Sequence, residues 1–127
     1  LVAVSVLQTV PYKYSLVMKS MTWSNAQSYC RTMYTDLATI VNATDWQKLE
    51  KERASKYFTG PAWIGLYNNI NNWRWSLNDV PLNTLLYINW SPWSSTFAGE
   101  TACSFIGAYY YWWDTLCSLQ YAFICYN

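Results

Sequence analysis

Histidine does not occur in this 127-residue chain. Its absence removes Ser-His-Asp and Cys-His nucleophilic machinery and takes away the usual nitrogen ligand of structural zinc. Charge is scarce as well: 12% of residues are charged, eight basic against seven acidic, for a net charge of +1. No one-signed basic stripe runs along the sequence, so the electrostatic footprint of a nucleic-acid binder is missing. The densest basic group, Lys48, Lys51, Arg53 and Lys56, is interleaved with Glu50 and Glu52 and reads as a solvated helix face. The apolar opening, residues 1–7, is far shorter than the roughly 20 residues a bilayer span requires. It also lacks the basic start and small-residue cleavage site of a complete signal peptide.

Cysteine is limited to Cys30, Cys103, Cys117 and Cys125, and the short Cys-x-x-Cys spacing of zinc sites does not appear. An even count in a small chain favours disulfides, with three pairings open on sequence alone. Disulfides imply an oxidising compartment, hence a secreted protein or the ectodomain of a membrane receptor. Two glycosylation sequons agree with that setting, Asn42-Ala43-Thr44 and Asn89-Trp90-Ser91. Asn42, in a loop before a helix, is the better acceptor.

What is abundant is apolar and aromatic. Hydrophobic residues make up 53% of the chain and aromatics 20%, enough for one domain spanning 1–127 with its own core. Valine alternates with smaller residues over about seven positions and predicts an added N-terminal strand within residues 1–10. An exposed apolar strand of that kind invites pairing with a second copy, which leaves a homodimer open beside the monomer. Residues 12–18 alternate as a strand. Thr22 then caps a helix with Trp23, Ala26, Cys30 and Met33 on one face. Thr44-x-x-Gln47 makes a capping box for a second helix, with Trp46, Leu49, the stem of Arg53 and Tyr57 as its buried stripe. Gly60-Pro61 stops it. Short strands follow at 62–67, 73–75, 103–106 and 122–125, with a long, tryptophan-dotted irregular stretch over 82–99. Helices first and strands later is an α+β order.

The order Cys30, Trp63-Ile64-Gly65-Leu66, Asn89-Trp90, Cys103, Cys117, Cys125 resembles the C-type lectin-like domain from about residue 14 onward. Residues 21–30 resemble that family's first helix and first cysteine. Residues 29–40 are similar to modules of mannose-receptor-type proteins. The resemblance implies two helices, short antiparallel sheets and a long irregular loop. It also implies a Cys30–Cys125 bridge and a Cys103–Cys117 bridge.

In that family calcium commonly bridges protein and sugar. The resemblance places the first ligand triplet, Glu-Pro-Asn or Gln-Pro-Asp, on Ser94-Ser95-Thr96, where charge, proline and amide are all missing. Glu100 lies one residue from the expected pre-cysteine carboxylate. Trp112-Trp113-Asp114 stands in place of Trp-Asn-Asp. Asn68 falls where some members place another calcium carboxylate. No resident cofactor or metal is therefore expected, with Glu100 and Asp114 the weak candidates for calcium. Trp93, Phe97, Tyr109, Tyr110, Tyr111 and Trp113 leave an aromatic ligand edge, and Trp75, Trp90 and Trp112 belong to the core. The ligand-binding residues on this reading are Trp93, Ser94, Thr96, Glu100, Tyr110, Trp113 and Asp114. The expected function is extracellular recognition of a glycan or glycoprotein largely without calcium. The alternative is a protein-binding lectin-like domain, and antifreeze-type ice binding ranks below both. Catalysis is not expected.

Overall fold

The computed structural model describes residues 12–68, 72–82, 87–92, 102–107 and 111–127. The chain runs β1 (Tyr14–Met21), α1 (Trp23–Met33), β2 (Asp36–Leu37), α2 (Ala43–Ser55), β3 (Ala62–Asn68) and β4 (Trp73–Trp75). A short 3-10 turn over Leu77–Asp79 precedes β5 (Ala102–Ile106), β6 (Trp112–Leu116) and β7 (Tyr121–Tyr126). The residues expected to form an added strand, 1–10, lie outside the described residues, as does most of the long loop.

Among the described residues the strands join in one mixed sheet, ordered β1-β7-β3-β5-β6, with β2 added to β7 and β4 to β3. The pairings are antiparallel except β3 with β7. Because strand side chains alternate, the sheet separates two cores. Tyr14, Leu16, Ala62, Ile64, Leu66, Ile106, Trp112 and Ile124 face one of them, with Leu49 of α2. Trp63, Cys103, Phe123 and Cys125 face the other, with Trp23, Ala26 and Cys30 of α1. The α+β class with two helices is thus what the chain forms.

Gly65 is required by a close approach. A Cβ there would stand 2.8 Å from the Ala38 carbonyl oxygen and 3.2 Å from that of Leu37. The Gly65 amide donates to that same Ala38 oxygen at 2.8 Å, and the Ser76 amide donates to the Gly65 carbonyl at 2.7 Å. Ser76 is a junction in turn. Its hydroxyl donates to buried Asp36 at 2.5 Å, accepts from Gln27 at 2.8 Å, and its carbonyl accepts from Arg31 at 3.1 Å. The end of β4 is thereby tied to α1 and β2.

Four expectations about the helices and the core are corrected. The second helix is capped by Asn42, whose side chain accepts from the Asp45 amide at 2.8 Å, while Asp45 Oδ2 accepts from the Val41 amide at 2.9 Å. This reciprocal pair lies two residues ahead of Thr44-x-x-Gln47. Asparagine is as good an N-cap as threonine or better, and Asp45 in the first turn adds a charge the helix dipole favours. Tyr57 falls past the helix end with φ 53° and is 93% exposed, so the stripe stops at Arg53. Met33 is exposed at the last residue of α1, where Tyr34 takes the next place against the core. Trp90 is only half-buried.

Cys30 is joined to Cys125 and Cys103 to Cys117, closing sequence separations of 95 and 14 residues. The first bridge links α1 to β7; the second ties β5 to the turn after β6. Asn42 is exposed at the helix cap, with its side-chain oxygen engaged. Among the described residues no helix is long and apolar enough to cross a membrane.

Candidate functional site

Strand β6 carries the last part of the expected ligand site. Its alternation decides where each side chain goes. Trp112 and Asp114 pair with Ile106 and Ser104 of β5, and Trp113 pairs with Phe105 between them. Trp112 therefore turns into the core, with zero exposure, and Trp113 turns to the other face, half-buried.

Around Trp112 stands a nest of rings. Trp75 meets it edge-on at 5.5 Å and 90°, Trp90 at 5.8 Å and 84°, and Tyr87 at 6.0 Å and 64°. Trp73 packs on Trp90 at 4.7 Å. Edge-to-face pairs at such separations suit the quadrupoles of the rings. The Trp112 amide donates to the Asn89 carbonyl at 2.9 Å, and its carbonyl accepts from the Ser91 amide at 2.8 Å. The start of the long loop is thus bonded to β6. Trp75 and Trp112 are fully buried, while Trp73, Tyr87 and Trp90 form a half-buried rim beside exposed Ile88 and Pro92. Burial pushes the Tyr87 phenol up from its ordinary value.

Trp113 has a distinct seat. A Cβ on Gly107 would come within 3.1 Å of Trp113 Cδ1 and 3.3 Å of Nε1, and within 2.9 Å of the Phe105 ring. Glycine at 107 lets the indole approach the backbone of its own hairpin. The indole is thereby half-buried, packed against Gly107.

Of the residues expected at the site, Trp113 and Asp114 are placed on β6. Trp93, Ser94, Thr96, Glu100 and Tyr110 lie outside the described residues, as do Phe97 and Tyr109. Trp73 and Tyr87 complete the nest without having been expected there. A cue for Trp73 existed in the alternation of Trp73-Arg74-Trp75; Tyr87 had none, since it falls in an irregular segment.

Calcium takes about 6–8 oxygen ligands, largely carboxylate and amide, and the described residues of this edge supply few of them. Trp113 offers no side-chain oxygen where the family pattern has an asparagine. Asp114 supplies one carboxylate. Asn68 supplies a buried amide oxygen that meets no hydrogen-bond partner among the described residues. Among those residues no three His, Cys, Asp or Glu side chains come together in a metal-holding group.

The model of the lectin C-type domain matches residues 19–127. The human secretory phospholipase A2 receptor is 34% identical over 84 residues, 64% of this chain and 5% of the receptor. Rat L-selectin is 36% identical over 66 residues, 50% of this chain and 16% of the selectin. The chain therefore spans only a small part of the length of these relatives. Human lithostathine superposes with a TM-score of 0.77 at 20% identity, covering 91% of this chain and 82% of that one, a likeness of fold. With the matched region embracing both helices, strands β2 to β7 and both disulfides, the chain belongs to the C-type lectin domain family.

Proposed function

We propose that this chain is an extracellular recognition module that binds a glycan or glycoprotein largely without calcium, through the aromatic edge around β6. The observation that carries the reading is Trp113. A calcium-ligand position of the family pattern is occupied here by a half-exposed indole, set against Gly107. Such a surface stacks on the apolar face of a pyranose ring, where an ion would otherwise hold its hydroxyls. Trp93, Tyr110 and the serine and threonine hydroxyls of Ser94 and Thr96 complete the proposed site, with Glu100 and Asp114 as acceptors for sugar hydroxyls. Two disulfides support an oxidising, extracellular setting.

A glycan array run in millimolar calcium and again in chelator tests this. The expected result is binding that persists in chelator. Binding that vanishes with chelator would refute the calcium-independent site. Silence in both buffers would turn the assignment to a protein ligand, for which tyrosine and tryptophan are equally suited.

Trp113→Asn restores one family ligand beside Asp114. Calorimetric titration of this variant is expected to reveal no calcium site tighter than about 1 mM, because Ser94-Ser95-Thr96 still lacks carboxylate and amide. A tight site would show that position 113 alone decides metal binding.

A further inference from the structure

Far from the aromatic edge, between β1 and α2, lies a groove of about 650 Å³ lined by Tyr12, Lys13, Tyr14, Ser15, Lys48, Lys51, Glu52, Ser55 and Lys56. That volume is in the range of small-ligand sites. Strand β1 and strand β6 are the two ends of the sheet order, so groove and aromatic edge are separate.

The helix presents a less mixed face here than its sequence suggests. Positions 48, 51, 52, 55 and 56 recur at helical spacing and all line the groove. Arg53 turns inward, 4% exposed, where it pairs with Glu50 at 3.2 Å and donates to the Gly60 carbonyl. Arg53 and Glu50 do not line the groove, which leaves four lysines facing a single glutamate. That glutamate is already engaged: Glu52 Oε2 accepts from the Leu16 amide and from Lys56 Nζ, both at 2.8 Å. Asp45 nearby is buried and holds the Tyr12 hydroxyl and the Val41 amide. Lys48 Nζ lies 3.6 Å above the Tyr12 ring, and neither Lys13 nor Lys51 has an ion pair or hydrogen bond to its ammonium among the described residues. The eleven residues before Tyr12 contain no acidic side chain.

We propose that this groove is a second binding site, for the sulfate groups of an anionic polysaccharide. Flexible lysine stems carry point charges that adapt to sulfates spaced along a chain, whereas the planar fork of arginine favours bidentate partners. Tyr12 and Tyr14 give the floor, both with their hydroxyls bonded inward to Asp45 and the Thr39 carbonyl. Ser15 and Ser55 add polar walls. No exposed aliphatic side chain lines the groove to enter a bilayer. The site shares with the proposed function only the extracellular setting, and failure of either leaves the other standing.

The test passes the full chain over immobilised heparin at low salt, with desulfated heparin in parallel. Heparin binding is expected, with affinity lowered roughly tenfold or more by K13A/K51A and restored by K13R/K51R. It should weaken with salt, be lost on desulfation, and be indifferent to chelator. The lysine-to-alanine variant should keep any neutral-glycan binding seen on the array. Absence of heparin binding, or binding insensitive to the lysine pair or to desulfation, overturns the proposal. Tighter, lysine-dependent binding to phosphatidylserine vesicles than to heparin would overturn it in favour of a membrane surface.

Discussion

Replacing Cys30 and Cys125 together by serine is expected to lower the stability of the domain by about 4–5 kcal/mol. The corresponding Cys103/Cys117 double variant should lose about 3 kcal/mol. The ranking follows from the loops that the bridges close, 95 residues against 14. A bridge restricts the unfolded chain more when it closes a longer loop, and on that account the long one matters more. Burial reinforces the order. Cys30 and Cys125 have zero exposure in the core between α1 and the sheet, whereas Cys117 lies half-buried in a turn. Two serine hydroxyls in the first site must find hydrogen bonds in a core lined by Leu37, Trp63 and Phe123. Since small domains are stable by only about 5–15 kcal/mol, the first variant stands close to unfolding at physiological temperature. Urea denaturation of both, monitored by tryptophan fluorescence, checks the ranking; equal losses would show that chain entropy does not govern these bridges.

Much of the architecture was legible because it rests on periodicities that tertiary contacts did not override. Trp23, Ala26 and Cys30 recur at helical spacing, and all three are buried. The strand containing Trp63, Ile64, Gly65 and Leu66 is buried on both faces, as a continuous apolar run should be. Legibility failed at the ends of the second helix. Thr44-x-x-Gln47 reads as the start of the second helix, whereas the backbone begins that helix two residues earlier, on the cap that Asn42 makes to the Asp45 amide. The stripe through Tyr57 assumed a helix longer than the one that forms. At the site, the sequence placed Trp113 and Asp114 on one short segment but could not say that Trp112 would gather Trp75, Trp90 and Tyr87 around itself, since those contacts cross from β4 and the long loop. The basic groove was hidden for a related reason. Lysines and glutamates alternate in sequence along α2, and a helix sorts such residues onto different faces. Lys13, the remaining cation, comes from a strand remote in sequence.

Trp112 is where the fold and the proposed site meet, and Trp112→Ala is expected to cost about 3–5 kcal/mol. The indole has zero exposure and contacts Trp75, Tyr87 and Trp90 at once, so its removal leaves a cavity that three rings line. The same three rings belong to different segments, and the backbone of Trp112 holds residues 89 and 91 through two hydrogen bonds. Loss of the side chain leaves those backbone bonds in place. It removes the ring against which Tyr87 and Trp90 of the long loop pack, so it loosens that part of the loop as well as the core. Trp112→Phe should be clearly milder than alanine, because the indole N–H meets no hydrogen-bond partner among the described residues and a phenyl ring loses volume without breaking a bond. Trp113→Ala makes the contrast. Its half-exposed indole adds little to the core, and its removal should change stability by no more than about 1 kcal/mol while abolishing glycan binding in chelator. Thermal melts and array binding read side by side separate the two expected outcomes, a loss of stability for Trp112→Ala and a loss of binding for Trp113→Ala. A Trp113→Ala protein that melts normally and binds as before would remove the indole from the site. A Trp112→Ala protein as stable as the parent would mean that the ring nest is not what anchors the loop to the sheet.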